Sequence, residues 1–169
     1  MPDALPEWMR PPRPEGWFAE DLDNLPEAPR HTELIDGALV FMMSPQRSWH
    51  GRVVTMLTFA LAEAAPPGFE VEREMTVRLD RRNRPDDVTL VVEVVSPESE
   101  HSDTGVKLRK YAAAGIEHYW CVIGEKHRPV VHVYERDPAT GSYTPAGIFR
   151  EQLERRVPFP VRLDLDGLG

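Results

Sequence analysis

The chain has 169 residues, 41% hydrophobic and 28% charged, with a formal net charge of −8. That length suffices for one domain with its own core, and the composition is ordinary for a globular protein. The acidic balance excludes a protein that coats nucleic acid by bulk electrostatics, but not one that applies local basic residues to phosphates. Lys107, Lys110 and Lys126 are the only lysines among 20 Lys and Arg residues. No apolar run approaches the length of a membrane span, and MPDALPEWMRPPRPEGW lacks the basic-then-apolar plan of a signal peptide. With Cys121 as the single cysteine, no internal disulfide is possible, so the expected compartment is the cytoplasm.

Residues 1–30 are rich in proline and charge and are expected to form an arm, with a short helix near Phe18–Leu25. Residues 31–169 are expected to form a single domain. HTELIDGALVF places Asp36-Gly37 between two short apolar runs, a hairpin signal. From Ser48 to Ala65 apolar residues fall at Val53, Met56, Leu57, Ala60, Leu61 and Ala64, which is helical spacing, and Pro66-Pro67 ends it. FEVEREMTVRLD, residues 69–80, alternates with period two and predicts a half-exposed strand, followed by a turn at RRNRPDD. Val88–Val95 is apolar on both faces and predicts a central strand. Ser102 or Asp103 is a suitable cap for a helix over 104–114, and Gly115 a suitable end. EHYWCVI and PVVHVYER predict two strands around a GEKHR turn. A strand near Tyr143–Phe149 and an edge strand in VPFPVRLDL follow. The order predicts an α/β protein with a mixed sheet and few helices.

Glu93 interrupts the aliphatic run LVVEVV. Val91, Glu93 and Val95 share one strand face. A carboxylate there needs solvent, an arginine partner or a cation, and Mg²⁺ or Mn²⁺ prefer such oxygen donors. Asp103, Lys107 and Tyr111 recur every four residues and so lie along one helix face. Lys107 there either pairs with Asp103 on the surface or aims back at Glu93, where an ammonium stabilises charge on a phosphate or orients a water. His50 faces a site or caps its helix. Glu33 reaches a metal or faces solvent. Tyr119 and Trp120 are core or dimer-interface aromatics, and Cys121 is a packed thiol.

VVEVVSPESEHSDTGVKLRKYAAAGIEHYWCV resembles the signature of the Uma-type restriction-endonuclease-like proteins, within the PD-(D/E)XK nuclease superfamily. Glu93, Ser96, Pro97, Asp103, Lys107, Tyr111, Gly115, Tyr119 and Trp120 match its pattern. ELIDGALVFMMSPQRSWH resembles the upstream block through Glu33, Asp36, Gly37, Ser44, Pro45 and His50. The resemblance covers roughly residues 30–150. It implies a restriction-endonuclease-like mixed β-sheet flanked by helices and hydrolysis of DNA phosphodiester bonds by a magnesium- or manganese-dependent endonuclease. It also implies a metal held by an aspartate and Glu93, with Lys107 beside it. A homodimer is expected as well.

One departure bears on the metal. The family places an aspartate on a separate strand a few tens of residues before the glutamate, whereas this chain offers Pro85-Asp86-Asp87. Asp87 is therefore the expected second catalytic and metal-binding carboxylate. In one straight strand it stands about 20 Å from Glu93, at ~3.3 Å per residue, so sharing a metal requires a bend. Glu74 and Asp80 are possible substitutes. The rival expectation is an inactive nuclease-like scaffold used for binding or dimerisation.

Overall fold

In the computed structural model, residues 6–29, 32–41, 48–73, 77, 87–95 and 100–168 are described. The chain divides into two compact units, Met1–Pro45 and Gln46–Gly169.

The first unit carries a short helix α1 (Ala19–Leu22) and a hairpin of β1 (Thr32–Ile35) and β2 (Ala38–Phe41). Asp36 and Gly37 both have positive φ, 50° and 79°, the backbone that a two-residue hairpin turn with the strand twist demands. Gly16 lies against Gly37, and a Cβ at Gly16 would collide with the Gly37 carbonyl. Arg13 holds Asp21 at 2.5 Å. That hydrogen bond, joined by the Phe18 N–H, keeps the Asp21 carboxyl below its ordinary range.

The second unit is built on a four-stranded sheet. Helix α2 (Ser48–Ala64) precedes β3 (Leu90–Val95); helix α3 (Glu100–Ala114) leads to β4 (His118–Glu125), then β5 (Arg128–Arg136) and β6 (Tyr143–Phe149). The order is β3-β4-β5-β6. β3 and β4 are parallel and joined through α3, while the other pairs are antiparallel. This is the mixed sheet flanked by helices that the sequence implies, and it is consistent with a restriction-endonuclease-like fold. A separate antiparallel pair, β7 (Gln152–Arg155) and β8 (Val161–Asp164), follows.

The period-two alternation of the strands sorts their side chains between two layers. On one face Val92, Val94, Trp120, Val122, Val131 and Val133 meet Val53, Leu57 and Leu61 of α2, with Leu153, Val161 and Leu163 of the β7–β8 pair. On the other face Val91, Val95, Tyr119 and Cys121 meet Leu108, Tyr111 and Ala112 of α3. Glu93 belongs to the second face by its register.

Several elements differ from expectation. β3 starts at Leu90, two residues late, and among the described strands it ends the sheet order rather than standing at its centre. Its residues from Leu90 to Val94 are half-buried. Helix α3 starts at Glu100, so Ser102 and Asp103 lie within its first turn, where an aspartate is favoured by the helix dipole, rather than capping it. Residues 69–73 are not strand; the Gly68 turn, φ +95°, leads into irregular chain anchored by Phe69 against Phe159. Most of the rest of that expected strand and most of the following turn, with Glu74, Asp80 and Asp86, lie outside the described residues. So do Ser44, Pro45, Ser96 and Pro97. Strand β7 had no clear sequence signal: QLER lacks an apolar face beyond Leu153, which alone is buried.

Candidate active site

Glu93 reaches its position because β3 must present every second residue to α3. Its neighbours on that face are aliphatic, so its carboxylate takes its partners from the helix and the next strand. The Tyr111 hydroxyl donates to Glu93 Oε1 at 2.7 Å. The Lys107 ammonium stands 3.5 Å from the same oxygen. The Tyr119 hydroxyl, from β4, lies 3.5 Å from Oε2, a long contact. Lys107 and Tyr111 are one helical turn apart, which is why a single carboxylate meets both. The Lys107 and Glu93 side chains are 13% and 17% exposed, so the pair is largely shielded from water without being sealed.

Around this pair lie all four tyrosines of the chain. Tyr119 is fully buried, and its ring lies 5.6 Å from Tyr111, 5.9 Å from Tyr134 and 5.8 Å from Tyr143. Burial, with the Glu93 charge second, pushes the Tyr119 phenol upward, so it stays protonated as a donor. Burial likewise raises Tyr143, against the opposing charge of Arg136, and raises Tyr134. The register sets Glu93, Cys121 and His132 side by side on neighbouring strands. Cys121 is buried, which keeps it a packed thiol.

Lys107 aims back at Glu93, which is one of the two readings its sequence position allowed. Tyr111 carried a sequence signal, since it shares the helix face of Lys107. Tyr119 was singled out only as a pattern match and a core or interface aromatic, and His132 not at all, because strand register across a sheet is not written in local spacing. Asp103 lies on α3, one turn before Lys107, with its side chain outside what is described. Asp87 sits in an exposed turn three residues before β3. His50 stands on α2, which packs against the opposite face of the sheet; its Nε2 donates to the Val94 carbonyl at 2.9 Å. It props the strand beside Glu93 instead of meeting the carboxylate. Glu33 lies in β1, in the first unit. Tyr119 and Trp120 are both fully buried within the chain, so they build its core and supply no dimer surface.

The donor chemistry can be set against a hard divalent cation. Among the described residues no three His, Cys, Asp or Glu side chains gather closely enough to hold a metal. A lone carboxylate would leave most of the six positions of Mg²⁺ to water.

Residues 71–166, more than half of the sequence, match the Uma2 family, described as "Putative restriction endonuclease". The chain belongs to the Uma2 family. No curated protein matches it. The Uma2 match takes in β3, α3 and β4, and with them Glu93, Lys107, Tyr111 and Tyr119. Uma2 membership thus joins the carboxylate–lysine pair to a nuclease-like family. Among the described residues no helix is long and apolar enough to cross a membrane.

Proposed function

We propose that the chain hydrolyses phosphodiester bonds of DNA as a divalent-metal-dependent endonuclease, with Glu93 and Lys107 at its centre. The observation that carries this reading is the Lys107 ammonium 3.5 Å from a Glu93 carboxylate that a tyrosine also grips. A carboxylate placed in an aliphatic strand and held by donors from a helix is arranged for chemistry; a carboxylate needed only for solubility belongs on the surface. Glu93 would hold Mg²⁺ or Mn²⁺, and the cation when bound would supply an activated water and charge neutralisation at the phosphate. Lys107 places a positive charge next to the carboxylate, where it stabilises the anionic phosphate as negative charge grows. The tyrosines exclude water from the inner side of the pair, which strengthens its electrostatics.

Cleavage of supercoiled plasmid DNA with Mn²⁺ tests this. Glu93→Gln is expected to abolish cleavage, since an amide is a much poorer ligand for a hard cation, while its thermal melt stays close to the parent. Equal cleavage by the variant would remove Glu93 from the reaction.

A second reading, a nuclease-like scaffold without catalysis, draws on the absence, among the described residues, of three metal-ligating side chains gathered together and on the net charge of −8. Calorimetric titration with Mn²⁺ separates the two. Binding that Glu93→Gln eliminates supports the enzyme, and absence of binding together with absence of cleavage supports the scaffold.

A further inference from the structure

The two oxygens of Glu93 are not equivalent. Oε1 receives a short hydrogen bond from Tyr111, 2.7 Å, and the Lys107 ammonium at 3.5 Å. Among the described residues, Oε2 has the Tyr119 hydroxyl alone, at 3.5 Å. An ionised carboxylate has about four acceptor sites, two on each oxygen. Oε1 is thus the gripped oxygen, and Oε2 is the one with capacity to spare.

We propose that Tyr111 is a positioning residue: its hydroxyl clamps Oε1 of Glu93 and fixes the carboxylate so that Oε2 is the oxygen offered to a ligand. This rests on the reading of Glu93 as the working carboxylate. Three features of the site support it. Tyr111 stands in the last turn of α3, a 15-residue helix, where its carbonyl accepts the Ile116 N–H at 3.2 Å, so its backbone is anchored. Its ring packs on Tyr119 at 5.6 Å, which restricts the swing of the phenol. Lys107, one turn away, has a long flexible stem, whereas the tyrosine has two side-chain torsions, so the rigid partner defines the geometry and the lysine supplies the charge. Groups that orient a ligating carboxylate in this manner typically change metal affinity or activity about 10- to 100-fold when removed.

Tyr111→Phe deletes the hydroxyl and keeps the ring. The first measurement needs no activity: with glutamate labelled with ¹³C at the side-chain carboxyl carbon, the Glu93 signal is assigned as the one missing in Glu93→Gln. Its chemical shift is expected to move in Tyr111→Phe, because the short hydrogen bond to Oε1 is gone, with a melt near that of the parent. The second measurement is plasmid cleavage, where kcat is expected to fall about 10- to 100-fold with KM for DNA unchanged. Tyr111→Leu, which removes ring and hydroxyl together, separates packing from positioning. A fall confined to Tyr111→Leu, with the Glu93 signal unmoved in Tyr111→Phe, overturns the proposal. If Glu93→Gln cleaves like the parent, the nuclease reading fails, and so does any catalytic role for the clamp. If Glu93→Gln is inactive while Tyr111→Phe cleaves fully, the nuclease reading stands and the clamp fails.

Discussion

Tyr143 donates its hydroxyl to the Ile116 carbonyl at 2.8 Å, inside the layer where Tyr119 and Cys121 are buried. The bond ties β6 to the chain between α3 and β4, just past Gly115, whose φ of +91° ends the helix. Tyr143→Phe keeps the ring and strands a buried carbonyl. It is expected to cost about 1–3 kcal/mol of stability, the penalty for an unmade buried hydrogen bond, measured by urea titration. Unchanged stability would mean that the carbonyl finds another donor. His118, at the start of β4, carries a different prediction. Burial lowers its pKa below the ordinary 6.5, against the opposing charges of Glu135 and Glu117. The folded state therefore resists a proton that the unfolded chain accepts. Above about pH 7 both states are neutral and the residue contributes nothing. As pH falls through 6.5 the unfolded state gains the proton first, and stability declines until the folded pKa is passed. His118→Gln is expected to flatten that part of the stability-against-pH curve, followed by melting temperature between pH 5 and 8. Parallel curves for parent and variant would refute it.

At the scale of elements, α2 is held by a stripe of Val53, Leu57 and Leu61, all buried against the sheet and the β7–β8 pair. Its outward side leaves Met56 and Phe59 exposed. Helical periodicity made the stripe readable from the sequence, since residues three or four apart share a face. Leu57→Ala is expected to destabilise by about 2–5 kcal/mol, because the lost transfer energy is joined by a cavity between two well-packed layers. Thermal or denaturant melts check it, and a cost below about 1 kcal/mol would show that the layer collapses into the space. Helix α3 was equally legible in its body and less so in its start. Ser102 and Asp103 are good caps in isolation, but the helix extends past them to Glu100, so local preference yielded to a longer run of backbone hydrogen bonds. Of the strand expected over 69–80, only residues 69–73 and 77 are described. Its alternation was clear, yet residues 69–73 settle as irregular chain, with Phe69 against Phe159.

For the whole molecule, the sequence by itself determined the class of fold and the identity of the central pair. Hydrophobic periodicity depends on near neighbours in the chain, and so do the strand–helix–strand order around α3 and the Glu93 and Lys107 spacing; all of these were visible before any coordinates. The Asp36-Gly37 hairpin and the end of α3 at Gly115 were legible for the same reason, since positive φ is a local demand. Tertiary structure decided which hydroxyls reach the Glu93 carboxylate. Tyr111 and Tyr119 are 18 and 26 residues away in sequence, and parallel register between β3 and β4 is what brings Tyr119 to the carboxylate. It also decided that β3 ends the described sheet order, and that His50 supports Val94 from the opposite face. Asp87, six residues before Glu93 in the chain, stands in an exposed turn. Sequence proximity measures distance along a strand, about 3.3 Å for each residue, while a site is assembled across strands and between layers.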